Sequence, residues 1–556
     1  MTDTVALSAP IEHVPTPIDE YLRRQRELTA VERFASRADH GPTTVEIGSR
    51  PASARWWSDR LPATPPGPGQ QYGFRVDLDA CTGCKACVAA CHSLNGLQPE
   101  ENWRTVGTLR AASTAGPLHR TVTSACHHCV EPACMEGCPA NAYEKDPVTG
   151  IVRHLDDSCI GCSYCTLTCP YEVPRFDADL GIVRKCDMCA DRLSEGEAPA
   201  CVQGCPTGAI TIDVVDVDAL VAEIEAASEP ALVPGAPVST LTMPSTRYVS
   251  SSPMPADLVA DDHASVHPSH GHAPLAVMLV LTQVSVGAFL LDGVLRVSDG
   301  GGDTASVVVA LLTGLLALGA SVLHLGRPLL AWRALLGLGH SWLSREIAAF
   351  SVFAGAASAW ALASVLELSG ARLLGFLVAV SGLVGVACSV AIYATTGRWW
   401  WRWPISSARF LATMGVGGAL LVATTTVLTE HGRPVSSVTG PAVLLAAVAS
   451  VATVLGIVGP LLPLVAATGA STPGRTRALL AGPLRTLLGW RVMLGVLGGI
   501  LVPWIGVAAL VSAPTVSIEA GVLLAAATVI AVAAELIERR LFFLASVAPR
   551  MPGMAR

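Results

Sequence analysis

Sixteen of the seventeen cysteines in this 556-residue chain lie between Cys81 and Cys205, in four groups of four. The first group, CTGCKACVAAC, holds Cys81, Cys84, Cys87 and Cys91. The second, CHHCVEPACMEGCP, holds Cys126, Cys129, Cys134 and Cys138. The third, CIGCSYCTLTCP, holds Cys159, Cys162, Cys165 and Cys169. The fourth is split between KCDMC, with Cys186 and Cys189, and ACVQGCPTGA, with Cys201 and Cys205. A disulfide framework would suit a small secreted domain, but these cysteines sit at metal-ligand spacing, which favours reduced thiolates. A single CxxC pair would also fit zinc. In C-x-x-C-x-x-C, short loops wrap three corners of a cubane cluster and aim backbone N–H groups at its sulfides. A fourth Cys three residues on, often before Pro, ligates the other cluster of a pair. Pro139, Pro170 and Pro206 stand at that point. Four such groups predict 4Fe–4S clusters in place of zinc. Cys388, alone in an apolar run, reads as a small buried hydrophobe.

Charged residues make up only 15% of the sequence and hydrophobic ones 51%, and the two are unevenly spread. After Ala273 come eight apolar segments, at about 274–296, 304–325, 347–367, 372–395, 408–429, 440–467, 488–512 and 517–538. Each is long enough to cross a hydrocarbon core of about 30 Å as a helix. Runs such as VVVALLTGLLALGASVL are apolar all round, unlike the striped helices of a soluble core. The expected fold class is therefore an α+β ferredoxin-like 4Fe–4S domain followed by an all-α polytopic membrane domain of about eight helices. The net charge of −7 offers no basic surface, which argues against a nucleic-acid partner. Lys85, Lys145 and Lys185 are the only lysines, against 34 arginines; this reads as compositional bias without mechanism.

Residues 1–71 form an extension, with an amphipathic helix expected around Leu22, Leu28, Val31 and Phe34 and a Pro-rich linker, LPATPPGPG. Residues 72–250 form the cluster domain. Strands are expected in GIVRHLD, GAITIDVVD and PSTRYV, and a helix in VDVDALVAEIEAA. Residues 251–273 read as a solvated linker, although His263, His267, His270 and His272 give it a metal-binding composition. Residues 274–545 form the membrane anchor and 546–556 a tail. The N-terminal MTDTVALSAPIEHVP lacks a basic n-region and an apolar h-region, so no cleavable signal is expected.

The four groups, with phrases such as CIGCSYCTLTCPYEVPRF and KCDMCADRLSEGEAPACVQGCPTGAI, resemble the iron–sulfur subunit of the dimethyl sulfoxide reductase family of molybdoenzymes over about residues 74–250. The resemblance implies four clusters with crossed ligands. One takes Cys81, Cys84, Cys87 and Cys205, and its neighbour Cys186, Cys189, Cys201 and Cys91. The third takes Cys126, Cys129, Cys134 and Cys169, and the fourth Cys159, Cys162, Cys165 and Cys138. Some relatives carry Trp for the third Cys of the third group and hold a 3Fe cluster; Cys165 implies a cubane here. LHLGRPLLAWRALLGLGHSWLSREI and AELIERRLFF resemble the family's membrane anchor subunit over about residues 274–545. The sequence thus reads as a fusion of two subunits usually encoded separately.

The resemblance implies a molybdopterin-containing catalytic subunit as partner. It implies exchange with the membrane quinone pool at a menaquinol site lined by HLGxP and LSxEI. His324 and Glu346 fall at the matching positions, flanked by Arg327 and Arg345, and all four are expected to bind quinone, with His324 and Glu346 moving protons. Glu535 is a weaker candidate, with an ion pair to Arg as the alternative. No haem is expected, since His324 and His431 are read at opposite faces and His340 in a loop. Trp399, Trp400, Trp401 and Trp403 read as an interfacial belt. The expected direction is quinol oxidation for a reductase. Two alternatives stay open: quinone reduction for a formate dehydrogenase-like partner, or an anchor or ion-translocating module without a quinone site.

Many relatives carry the iron–sulfur domain outside the cell. Here fourteen arginines fall on loops 2–3, 4–5 and 6–7 and the C-terminal tail, and only Arg296, Arg372 and Arg433 on the other side. Arginine excess in short loops marks the cytoplasmic face, so the cluster domain and C-terminus are expected in the cytoplasm.

Overall fold

The computed structural model describes residue 20 and residues 57–111, 119–228, 230–255, 258–264, 266–298, 303–368, 371–469 and 471–553. The amphipathic helix expected in the extension lies outside the described residues except for Glu20.

The cluster domain is a set of small sheets that frame the cysteine loops. β1 (Gln70–Asp77) pairs antiparallel with β8 (Ile210–Asp216), Phe74 opposite Ile212, and parallel with β9 (Arg247–Val249). Their inward residues Phe74, Val76, Ile210 and Ile212 are buried, as period-two alternation requires. β2 (Thr105–Ala111) pairs with β3 (His119–Ser124) and with β10 (Leu258–Ala260). Part of the segment expected to be a solvated linker is therefore an edge strand. Two further hairpins are β4 (Tyr143–Lys145) with β5 (Val152–His154) and β6 (Arg175–Asp177) with β7 (Ile182–Arg184). β5, β8 and β9 fall in the segments read as strands. The expected helix is present at Val217–Ala226, capped by the Asp216 carboxylate on Ala219 N–H.

Eight described helices are long and apolar enough to cross a membrane: Ala273–Val297, Thr304–Val322, Trp342–Val365, Leu373–Ala394, Trp403–Thr429, Thr439–Val465, Arg485–Val511 and Ile518–Leu544. The third, fifth and seventh begin three to five residues before the apolar runs, and the last extends past its own. The earlier starts set Arg409 and Arg491 inside their helices and the longer last helix takes in Arg539; each is buried. They are not the loop charges that the sequence suggests. The aromatic run is also corrected: Trp400 and Trp401 are each 1% exposed. Trp401 Nε1 donates to Phe542 O at 2.8 Å, and the Arg409 guanidinium lies 3.8 Å over Trp400. These rings plug the bundle; Trp403, half exposed, is left at the surface.

The C-terminal end returns to the cluster domain. Met551 is fully buried in that domain's core, and Gly553 packs on Gly107 so closely that a Cβ at residue 107 would lie 2.1 Å from Gly553 N. The cluster domain and the C-terminus therefore share one face of the helical bundle.

Candidate functional site

The first and third cysteine loops share a backbone device. Gly83 and Gly161, then Lys85 and Ser163, have positive φ (72°, 69°, 60° and 57°). Glycine reaches that region without strain and other residues rarely do. The two left-handed positions turn the loop around a point, and short helices, Ala86–Leu94 and Tyr164–Thr168, follow at once. Backbone N–H groups converge on sulfur: Gly161 N on Cys159 Sγ at 3.4 Å, Met188 N on Cys186 Sγ at 3.4 Å, and Ala142 N on Cys138 Sγ at 3.2 Å.

The loops fold around three sulfur-lined cavities and bring the remaining four cysteines near one another. Cys81, Cys84, Cys87 and Cys205 line one cavity, Cys126, Cys129, Cys134 and Cys169 a second, and Cys138, Cys159, Cys162 and Cys165 a third. Asn95 ties the remaining set together, with Nδ2 3.6 Å from Cys91 Sγ and 3.9 Å from Cys189 Sγ. Cys91, Cys189 and Cys186 all act electrostatically on one another or on Cys201. The three cavities each bring together four cysteines that the family resemblance groups as ligands of one cluster.

The chemistry of the spaces fits a metal–sulfur centre. Burial pushes the thiols of Cys134, Cys165 and Cys186 well above their ordinary value, and that of Cys162 up to about 12. A coordinating metal deprotonates a thiol outright. Two buried cations, Arg104 and Lys185, stand beside these cysteines, and among the described residues neither has a carboxylate at ion-pair distance. A buried guanidinium without counter-charge costs several kcal/mol, and negatively charged thiolate-bound clusters would supply that counter-charge.

The fourth set lies against the membrane bundle. Gly326, in the HLGRP loop, meets Gly161 and Gly181 backbone to backbone; a Cβ at residue 326 would lie 2.1 Å from Gly181 O. Gly326 N donates to Gly161 O at 3.2 Å, and Arg327 N to Ile160 O at 3.1 Å. Arg327 Nη1 donates to Asp156 O and Arg333 Nη1 to Asp157 O, at 2.8 and 2.5 Å. His340 contacts Glu136 O and Asn141 Oδ1, and Ser341 Oγ donates to Gly137 O. The loop between the second and third membrane helices is thus a clamp on the second and third cysteine groups. Tyr164, between two cysteines of the third group, donates its hydroxyl to Ile392 O in the fourth membrane helix at 3.1 Å.

The four residues expected at the quinone site are divided. His324 lines a cavity of about 1020 Å³ between the halves, with Ser163, Thr166 and Leu167 on one wall and Trp401 and Phe543 on another. Burial holds its imidazole below the ordinary value, against the opposing pull of a hydrogen bond to the Ser321 backbone. Glu346 does not line that cavity. It is 1% exposed inside the third membrane helix and accepts a close hydrogen bond from Ser389 Oγ. Among the described residues it has no ion-pair partner, and Tyr164 and Tyr393 lie within its electrostatic reach. Arg327 is spent on docking, and Arg345 donates to Leu338 O and Gly339 O while stacking 4.5 Å over Trp342. Glu535 is ion-paired: Arg491 Nη2 donates to it at 2.7 Å and Thr413 Oγ1 at 2.6 Å. Ser389, Tyr393 and Arg104 carry no motif that singles them out in the sequence, whereas Tyr164 and Lys185 lie within the quoted cysteine phrases CIGCSYCTLTCP and KCDMC.

Residues 119–215 match the family described as 4Fe-4S dicluster domain, and residues 267–544 match DMSO reductase anchor subunit (DmsC). The B subunit of the anaerobic dimethyl sulfoxide reductase of Escherichia coli (strain K12) is 38% identical over 154 residues, 26% of this protein and 75% of that one. Hydrogenase-2 operon protein HybA of Escherichia coli O157:H7 is 36% identical over 172 residues, 26% of this protein and 52% of that one. The formate dehydrogenase iron-sulfur subunit of Haemophilus influenzae is 36% identical over 152 residues, 24% of this protein and 49% of that one. With half its length in the anchor match and its cysteine region aligned to the reductase B subunit, this polypeptide belongs to the iron–sulfur and membrane-anchor family of the dimethyl sulfoxide reductases, with both subunits joined in one.

Proposed function

We propose that this protein oxidises menaquinol at the membrane and passes the electrons through four 4Fe–4S clusters to a separate molybdopterin-containing catalytic subunit. The observation that carries this reading is the backbone contact of Gly161 and Gly181 with Gly326, which sets one cysteine set directly against the membrane bundle. The ligand sets are those described: Cys81, Cys84, Cys87 and Cys205; Cys91, Cys186, Cys189 and Cys201; Cys126, Cys129, Cys134 and Cys169; Cys138, Cys159, Cys162 and Cys165. Clusters so held supply one-electron carriers. A quinol loses two protons with its two electrons, so a base must stand near it. His324, on the cavity wall with the Ser321 backbone as a hydrogen-bond partner, and Glu346, without a cation partner among the described residues and behind Tyr164 and Tyr393, are the two bases. Arg327 and Arg345 hold the loop.

Purified protein is expected to carry about sixteen iron per polypeptide, four per cubane, and negligible zinc. In Glu346→Gln, quinol no longer reduces the clusters while dithionite still reduces all of them. Iron near eight sinks the cluster count. Normal quinol reduction in both Glu346→Gln and His324→Ala sinks this quinone site.

The cluster domain lies in the cytoplasm in this reading. With Arg409, Arg491 and Arg539 removed as buried helix residues, eleven arginines remain on the cluster side against three opposite. The bias still marks that side as inside. Reporters fused after Arg556 and within the loop between the fifth and sixth helices should be active inside and outside respectively; the reverse overturns the orientation.

A further inference from the structure

Two buried cations separate the cysteine sets, and among the described residues neither has a carboxylate within ion-pair distance. Arg104 is 2% exposed. Its Nη1 donates to Thr123 Oγ1 at 3.2 Å, and Thr123 Oγ1 lies 3.5 Å from Cys87 Sγ. Its guanidinium stands 4.7 Å over the Phe74 ring and hydrogen-bonds the Cys201 side chain. Cys87 of the first set, and Cys91, Cys186 and Cys201 of the second, surround its charge. Lys185 is 3% exposed. Its Nζ donates to the carbonyls of Val152 and Cys186, the latter at 2.9 Å, and lies 3.8 Å from Cys126 Sγ. Cys126 and Cys134 of the third set and Cys186 of the second feel its charge, and Asp187 does so more weakly. Between the third and fourth sets the comparable group is neutral: the buried Tyr143 hydroxyl, beside Cys165 and Cys134.

A reduced cubane carries one more negative charge than an oxidised one. A fixed cation in a dry site therefore favours the reduced form, and charge, sulfur hydrogen bonds and solvent exposure are the levers that set cluster potential. Arginine stays charged in any protein environment, and its N–H groups are suited to sulfur acceptors such as Cys201. We propose that Arg104 and Lys185 are potential-setting residues. Arg104 raises the reduction potentials of the first and second clusters, Lys185 those of the second and third, and the membrane-facing fourth lies beyond both. This rests on the four-cluster reading. The sites are junctions: each cation acts on two neighbouring clusters together, and the second cluster answers to both.

The test is a redox titration followed by electron paramagnetic resonance on the full-length protein, with iron counted in every sample. Wild-type iron far below sixteen per polypeptide would fail the cluster reading and not this one. With full iron, Arg104→Gln should lower the reduced-to-oxidised ratio of two clusters about tenfold at fixed potential, a shift of about 59 mV for one electron. Lys185→Gln should do the same to a different pair sharing one member, and Arg104→Lys should recover most of the loss. Unshifted potentials at full iron overturn the proposal. So does an equal shift of all four clusters, which is the mark of general loosening. Loss of iron from both neutral variants also overturns it, since the charges would then serve assembly alone. If only one variant loses iron, the other decides by the same criteria.

Discussion

Both halves of the molecule bury charge, but they do so in opposite ways. In the membrane bundle, Arg491 pairs with Glu535 at 2.7 Å and Arg409 with Glu538 at 3.3 Å. Arg539 reaches Glu538 at 3.6 Å and donates to Gln283 and Thr413. Among the described residues, Arg104 and Lys185 in the cluster domain have no acid at ion-pair distance, and Glu346 in the third membrane helix has no cation. A buried charge is costly unless it is paired. The paired charges hold helices together. The unpaired ones stand where electrons and protons would arrive: Arg104 and Lys185 at the cysteine sets, Glu346 behind the cluster that faces the membrane. Under the proposed function, incomplete pairing, more than burial itself, marks the charges assigned a functional role.

The sharpest way to break that contrast is to remove one side of a pair. Arg491→Met leaves Glu535 buried without its cation, and loss of one partner of a buried pair costs about 3–5 kcal/mol. The expected result is a marked drop in unfolding temperature of the detergent-solubilised protein, recovered when Glu535→Leu is added. Glu346→Gln, which strands no cation and keeps an oxygen to accept from Ser389 Oγ, should leave that temperature unchanged or raise it, since an unpaired buried charge is costly. If the two single variants fall equally, the distinction between paired and unpaired charge is wrong.

Much of this was legible in the sequence because the signals were local. Cysteine spacing dictates where loops turn, so the sets could be anticipated from the four groups and their resemblance to a family. Apolar runs of bilayer length announced eight helices. Helix ends were less legible. Arg409, Arg485 and Arg491 looked like loop residues, since an arginine ordinarily ends an apolar run. Glu538 and Glu535, far along the sequence, cancel the cost for Arg409 and Arg491. The tryptophans misled for the same reason: burial of Trp400 and Trp401 depends on Arg409 and Phe542, which the local pattern does not show. A purely compositional reading of the lysines misses their placement. All three fall in the cluster domain: Lys85 is within the first cysteine group, Lys145 Nζ donates to Val130 O next to Cys129, and Lys185 precedes Cys186. In a protein that otherwise uses arginine, that placement was a signal.

A smaller effect tests whether the two halves depend on each other. The clamp between them is made by glycine backbones, not by side chains. Gly326 has no positive φ to explain it; what excludes a side chain is space, since its Cβ would meet Gly181 O at 2.1 Å and Gly181 Cα at 2.8 Å. Backbone cannot yield as a flexible side chain can, so Gly326→Ala must push the loop from the third cysteine group. Overpacking of this kind costs about 1–3 kcal/mol, below the cost of stranding Glu535. The strain should appear locally. Hydrogen exchange at Gly326 N and Arg327 N, which donate to Gly161 O and Ile160 O, should quicken while the helix ends near Glu535 stay protected. Quinol-driven cluster reduction should slow while dithionite reduction is unchanged, because the donor site and the nearest cluster have moved apart. Unchanged exchange at both amides would mean that the contact is not a clamp and that Tyr164 on Ile392 holds the interface instead. Tyr164→Phe should then produce the slowing that Gly326→Ala did not.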